Sequence, residues 1–591
     1  MNKRNILNHF RPLAILTVMA LIYLHPGSCL GQAKVSENII ISSVDMAKAG
    51  EVIPASEIGE PVGSVKLYPP RWIEATAGSS AYGVVEGSIF PVDPQGWPIN
   101  FRVLLPASWS HRAMQVGGGG INGIITVREG KNPMVDKGFV LYGSDSGHQA
   151  AGMGFGGAQK PLATGPTSGD EWALNEEAIK NIGYMQMKKT HDAAMVIIQR
   201  IYGKRPVYNY YVGNSQGGRE ALTVAQRYPK DYNGIIANVP IVNFSSLMLA
   251  PELIRIQEKP LKNWVTPSKV NAIRAEFLRQ CDNLDGISDG IISNYMAARA
   301  IFNVKDGVGP KDPWAALRAP GNIDPDPNDQ SLAAKLTDEQ IKTLEFVYSP
   351  YQFSTPLANG VKSFGMWLPT TEPDGFGMIT GQRFKGQEGA PENAPVHQSL
   401  GTLGVTGFLM QDIKANPLDY VEGGQWNKRR EQLSQWLDST NPDLSAFYKN
   451  GGKMIITIGA MDNIASCGAQ LDYYQSLIDK MGRKKIDQFA RLFVVPQAGH
   501  GLSGRSYKVN GEGKPVEVKN IPGPDGNDNM NLLMAWVEQN QAPSKTLVVD
   551  PKGKIGANQQ GEGYLLCSYP NYSKYIGGPA NQVSSYTSAE R

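Results

Sequence analysis

Tyr210-Tyr211-Val212-Gly213-Asn214-Ser215-Gln216-Gly217-Gly218-Arg219 decides the reading of this chain. A β-prone triplet, Tyr210 to Val212, enters the run. A helix-prone stretch from Arg219 to Tyr228, stopped by Pro229, leaves it. Between them stands a G-x-S-x-G pentapeptide, Gly213 to Gly217. A serine on a tight strand-to-helix turn has its hydroxyl pushed out beyond the sheet, and glycines on either side let the backbone crowd without Cβ clashes. The helix that follows brings unpaired N–H groups and its positive dipole end to the serine. In a chain rich in Gly and Ser the pentapeptide alone is weak. Strand before and helix after favour a nucleophile over a plain structural turn.

A serine nucleophile needs a base and an acid, which follow it in chain order in folds built around such an elbow. Of seven histidines, only His397 and His500 lie beyond Ser215. His397 ends a polar, Pro-rich stretch that no strand feeds. His500 closes Arg491-Leu-Phe-Val-Val-Pro-Gln-Ala-Gly-His500, an apolar strand running into a glycine-flanked loop, where catalytic groups sit. His500 is the expected base, against the alternative of a surface loop histidine. The expected acid is Asp462, at the end of Lys453-Met-Ile-Ile-Thr-Ile-Gly-Ala-Met-Asp462. Asp443, between Pro442 and Leu444, suits a helix start instead.

An oxyanion needs donors. The strand Ala113 to Val116 runs into Gly117-Gly118-Gly119-Gly120-Ile121-Asn122-Gly123. Such a loop aims a backbone N–H at a developing alkoxide, here through Gly119, with the N–H of Gln216 as second donor. The loop also reads as G-x-G-x-x-G (Gly118, Gly120, Gly123), a nucleotide fingerprint. However, β-branched Ile124-Ile125-Thr126-Val127 follows where a helix is required.

With these residues in place, the chain resembles the tannase/feruloyl esterase family from about Trp97 to about Tyr575. The likeness is carried by residues 116–120, Gly-Ser-Asp-Ser-Gly-His-Gln (143–149), residues 211–219 and Ala-Gln-Arg-Tyr-Pro (225–229). It continues through Cys-Asp-Asn-Leu-Asp-Gly-Ile-Ser-Asp-Gly (281–290), Asn-Pro-Asp-Leu-Ser-Ala-Phe (441–447), Gly-Gly-Lys (451–453) and Ala-Gly-His (498–500). The family holds hydrolases of gallate and ferulate esters and of mono(2-hydroxyethyl) terephthalate. The resemblance implies an α/β-hydrolase fold with a large lid domain inserted after the strand that follows the elbow. It also implies the triad Ser215, Asp462, His500 and an aromatic-acid ester as small-molecule substrate. The rival functions are a general or aliphatic acyl esterase and a non-catalytic hydrolase-like binding protein, against which the intact triad argues. Members usually join a cysteine before the serine to one after the histidine. Here those positions are Asn214 and Gly501, so packing and hydrogen bonds must hold the site.

The second feature is Asp282-Asn-Leu-Asp285-Gly-Ile287-Ser-Asp289-Gly-Ile291. Three carboxylates with glycine turns can wrap a hard cation, the carbonyls of Ile287 and Ile291 completing the shell. The plain alternative is a pair of Asp-Gly turns. The resemblance implies structural Ca2+ in the lid.

The chain has 591 residues and a net charge of +3, with no nucleic-acid signature. Lys3, Arg4 and Arg11 precede an apolar run, Leu13 to Leu24, too short to span a bilayer and read as a signal peptide over 1–31. Export to the periplasm or medium is expected, with no transmembrane segment. Pro26-Gly27-Ser28 makes a poor lipobox for Cys29. Beyond it stand Cys281, Cys467 and Cys567, an odd number that leaves at least one thiol free or intermolecular. The expected domains are core over 32–245, lid over 246–425, and core with a polar tail over 426–591.

Overall fold

The Tyr-Tyr-Val run forms a strand inside an eleven-stranded mixed sheet. The structure, a computed structural model, describes residues 37–149, 162–166, 169–305, 309–368, 379–397, 401–556 and 560–590. Residues 1–31, expected to be a signal peptide, lie outside them.

The sheet's strands are β1 (Val52–Ile53), β2 (Ser64–Leu67), β3 (Arg71–Ile73), β4 (Tyr82–Phe90), β5 (Ile99–Pro106) and β6 (Arg112–Val116). They continue as β7 (Phe139–Ser144), β8 (Tyr208–Asn214), β9 (Gly234–Asn238), β10 (Lys453–Gly459) and β11 (Ala490–Val495). Their order is β11-β10-β9-β8-β6-β7-β5-β4-β2-β1, with β3 also on β4. From β7 to β11 all neighbours run parallel, so the strands end along one edge of the sheet. From β5 to β1 they pair antiparallel. The seven expected strands, from 99–105 to 491–495, appear within a residue or two. The strands over 64–90 went unread in the sequence.

Alternation places Tyr210 and Tyr211 on opposite faces. Tyr211, Ile235 and Ile456 pack with Ala221, Leu222 and Val224 of α2 (Gln216–Arg227), the helix leaving the elbow. Tyr210, Ile236, Ile455 and Phe493 pack with Met530, Leu533 and Trp536 of α6 (Gly526–Gln539). Further along the sheet, Val103, Val140 and Tyr142 meet α1 (Gln186–Tyr202) through Ala193, Ala194 and Ile197. Each fully buried Val, Leu, Ile, Phe or Met here contributes about 1.5–3 kcal/mol. The late helix begins earlier than the expected Met530, because Asp525 caps a polar first turn through the N–H groups of Asn527 and Asp528.

Residues 239–452 separate β9 from β10, although the two strands are hydrogen-bonded neighbours. This insertion includes α3 (Phe244–Gln257) and α4 (Val270–Cys281). Trp314, Phe364, Trp367 and Phe408 are all buried in one cluster, making them core of the insertion. Phe376 lies outside the described residues. The tail after Pro551 is docked: strand Tyr564–Cys567 pairs with Thr546–Val549, and Tyr569 donates its N–H to Leu492 O on β11 (2.8 Å). Cys281, Cys467 and Cys567 are buried and free.

Candidate active site

Ser215 sits between β8 and α2 at φ 60°, ψ −119°, a left-handed conformation that costs a non-glycine residue of order 1–3 kcal/mol. Neighbouring backbone fixes it. Ser215 N–H donates to Asn238 O on β9 (2.9 Å), and Arg219 and Ile241 N–H groups return to Ser215 O. A Cβ on Gly217 would meet Gly118 O at 2.6 Å, and one on Gly218 would meet Asn238 O at 2.5 Å. The glycine loop therefore lies directly against the elbow, tied by a hydrogen bond from Gly217 N–H to Gly118 O (3.1 Å).

Asp462 follows β10 and His500 follows β11, so both stand at the same sheet edge as Ser215. The Asp462 side chain is fully buried, and its two oxygens lie 3.0 Å from His500 Nδ1. Oδ1 also accepts the N–H groups of Ile464 (2.9 Å) and Ala465 (2.8 Å). With Nδ1–H donating to this carboxylate, Nε2 becomes the basic nitrogen. The His500 side chain is 20 % exposed, open enough to exchange protons. Met461 N–H donates to Ala498 O (2.9 Å) and locks the two loops together.

The competing residues have other work. His397 is buried in the insertion, its Nδ1 against Glu252 and its ring edge-on to Phe384. Asp443 accepts the N–H of Ser445 at a helix start (2.9 Å). Asn214 accepts a hydrogen bond from Asn238 Nδ2 (2.8 Å), so its contact runs to the next strand end rather than to the histidine loop. A Cβ on Gly501 would meet nothing within 4 Å.

The N–H groups of Gly119 and Gln216 make no hydrogen bond among the described residues, as oxyanion donors require. What holds this loop was not read from the sequence. Buried Glu220, one turn into α2, accepts from Gly118 N–H (2.9 Å) and Tyr211 OH (2.8 Å) through Oε2. Through Oε1 it accepts from Asn122 Nδ2 (2.6 Å) and Gln186 Nε2 (3.2 Å). The only sequence signal was an acid placed among small and apolar residues of a helix.

The Asp loop is folded by its own carboxylates. Asp282 accepts from Gly290 N–H (2.8 Å) and Gly511 N–H (2.7 Å). Asp285 accepts from Ile287 (3.3 Å) and Ser293 (3.0 Å) N–H groups. Asp289 takes Ile291 N–H (3.2 Å) and Lys519 Nζ (2.9 Å). Asp285, Ile287, Asp289 and Ile291 line one cavity of about 360 Å³, and Asp282 is not part of its wall. Burial pushes Asp285 up to about 7 and Asp282 up to about 6, against the backbone N–H groups that hold them. Carboxylate and carbonyl oxygens are the donor type a hard cation takes, and Lys519 already balances the charge of Asp289.

Fold and site define an α/β hydrolase with a serine elbow. Residues 83–589 match the family described as tannase and feruloyl esterase, and the chain belongs to it. An esterase of Agrobacterium fabrum is 32% identical over 92% of both chains. The mono(2-hydroxyethyl) terephthalate hydrolase of Piscinibacter sakaiensis is 26% identical, with 84% of this chain and 82% of that one covered. Feruloyl esterase B from Aspergillus oryzae superposes with a TM-score of 0.66 at 20% identity, over 90% of this chain and all of that one. The tannin acyl hydrolase of Aspergillus niger gives 0.62 at 18%, over 93% and 95%. The protein is a carboxylic-ester hydrolase. No helix among the described residues is long and apolar enough to cross a membrane.

Proposed function

We propose that the protein hydrolyses esters of aromatic acids through an acyl-enzyme on Ser215. The carrying observation is the buried Asp462 carboxylate bound to His500 Nδ1, at the sheet edge where the strained Ser215 turn emerges. Ser215 Oγ attacks the ester carbonyl while His500 Nε2 takes its proton and then delivers it to the leaving alkoxide. Water, deprotonated by His500, attacks the acyl-enzyme and releases the acid. Asp462 holds the imidazole and stabilises its cation. The N–H groups of Gly119 and Gln216 receive the oxyanion, and the insertion over 246–425 acts as the lid. Support for the aromatic acyl group comes from the names of relatives, feruloyl esterases and a terephthalate monoester hydrolase.

Structural Ca2+ belongs to the same proposal. The carboxylates of Asp285 and Asp289 and the carbonyls of Ile287 and Ile291 would hold it, with Asp282 closing the loop behind. Bound there, the cation supplies charge balance to the fold and no chemistry to the ester. Residues 1–31 direct export in this reading, on the strength of their basic start and apolar run.

The test is a hydrolysis screen of methyl ferulate, methyl gallate, a hydroxyethyl terephthalate monoester and p-nitrophenyl acyl esters. Aromatic-acid esters should lead in kcat/KM. Ser215→Ala and His500→Ala should each lower kcat by roughly 10⁴ or more with the fold intact, and Asp462→Asn somewhat less. Preference for aliphatic acyl groups, or a silent His500→Ala beside a crippling His397→Ala, would overturn the reading.

A further inference from the structure

A cavity of about 620 Å³ lies between α4 of the insertion and the chain on either side of the acid and base. Met461 and Asn463, which flank Asp462, line it, as do Gly499 and Ser503 around His500. Neither Ser215 nor His500 is in its wall, so it is a chamber beside the triad rather than the triad's own pocket. Its volume is that of a small-molecule site.

The lining has a single electrostatic sign. Arg274, Arg505 and Lys508 face it, and no acidic side chain does among the described residues. Arg505 and Lys508 have no ion-pair partner among the described residues. The remainder is largely apolar: Leu278 and Met461 are buried in the wall, while Leu332 (54 % exposed) and Val518 (43 % exposed) leave large hydrophobic surface at it. Cations set in an apolar wall select a ligand with an anionic head and a hydrophobic body, the head relieving repulsion between like charges.

Hydrolysis of an aromatic-acid ester makes such a molecule. The ester linkage is neutral, and the released acid carries a carboxylate on an aromatic body. We propose that this cavity binds the aromatic carboxylate, the acid class the reaction releases, at a site separate from the reacting serine. The inference rests on the aromatic-ester reading for the identity of that acid. An occupant there lies against Met461, Asn463 and Gly499, the chain neighbours of Asp462 and His500.

Calorimetric titration of ferulate into protein whose Ser215 has been sulfonylated tests this, with neutral methyl ferulate as the paired probe. Ferulate should bind the blocked protein with a dissociation constant below about 1 mM, at least tenfold tighter than the ester, and more weakly as salt rises. Arg505→Ala with Lys508→Ala should lose at least tenfold in ferulate affinity at an unchanged melting temperature, and Arg505→Lys should retain it. Blocked protein that ignores ferulate, that binds acid and ester alike, or that is indifferent to the double change overturns the proposal. Hydrolysis by unblocked protein is scored separately. Its absence would overturn the aromatic-ester reading, while normal hydrolysis without ferulate binding overturns the cavity site alone.

Discussion

Glu220 shows what a single residue contributes out of sight of the chemistry. It touches no reacting atom, yet it holds Gly118 N–H and Asn122, which fix the loop carrying the proposed oxyanion donor. In Glu220→Gln the amide keeps the size but turns a donor toward groups that are themselves donors. We expect kcat to fall by roughly ten- to a hundredfold with KM little changed, since an oxyanion donor is worth about 10²–10³. An equal loss in KM would show that the residue supports substrate binding instead. Ser215, Asp462 and His500 were legible because each ends a strand with a strong apolar pattern. Glu220 was not, because its donors come from residues 118, 122, 186 and 211, which only the fold collects. Burial also sets a pH limit. It pushes His148 down to about 3 and His191 to about 4, so both are neutral in the folded state above those values. The unfolded chain takes up their protons below about 6.5, so their contribution is complete above that pH and is lost as pH falls toward 4. Each can steepen the loss by up to about 1.4 kcal/mol per pH unit. His191→Gln should flatten the fall in unfolding free energy between pH 6.5 and 5, even if the variant is less stable overall.

At the scale of elements, the elbow and the glycine loop behave as one piece. A methyl at residue 217 would run into the backbone of Gly117 and Gly118, which no side-chain rotation relieves. Gly217→Ala should cost about 1–3 kcal/mol by overpacking, and the displaced loop should cost activity beyond what that loss of stability explains. A melting temperature and rate equal to the parent's would sink this account. The family resemblance implies a bridge at residues 214 and 501, and this chain has Asn and Gly there. Since a Cβ on Gly501 meets nothing within 4 Å, Asn214 included, the separation exceeds the usual disulfide value of about 3.8 Å. Asn214→Cys with Gly501→Cys should form a bond under oxidant if that separation stays below about 4.5 Å, with a gain of up to a few kcal/mol that reductant removes. The parallel strands β8 to β11 could be read in advance because both faces are covered and the runs are apolar. The strands over 64–90 could not, because they lie on the antiparallel side of the sheet, where partners are set by long-range pairing.

Across the whole molecule, the Asp loop joins distant parts of the chain. Asp282 binds Gly511, Gly290 O accepts from Tyr507, and Lys519 connects Asp289 to Ala580 O in the tail. The segment that follows His500 is thus moored to the insertion. Chelator should lower the melting temperature and added calcium restore it, by about 2.7 kcal/mol at a hundredfold excess over Kd. Asp285→Ala should abolish the calcium response. A melting curve indifferent to both reagents would remove the metal from the account. The composition of the loop was visible in the sequence, but its moorings at 507–519 and 580 were not.

The three buried thiols carry a consequence for where this enzyme can be made. Burial raises the pKa of each, which keeps them protonated and slow to react. No sulfur–sulfur bond ties the described chain. Folding here needs no oxidant, and dithiothreitol should leave both melting and turnover untouched. Protein made in a glutathione-buffered cytosol should have the same melting temperature and turnover as protein made in an oxidising compartment, a comparison that checks this directly.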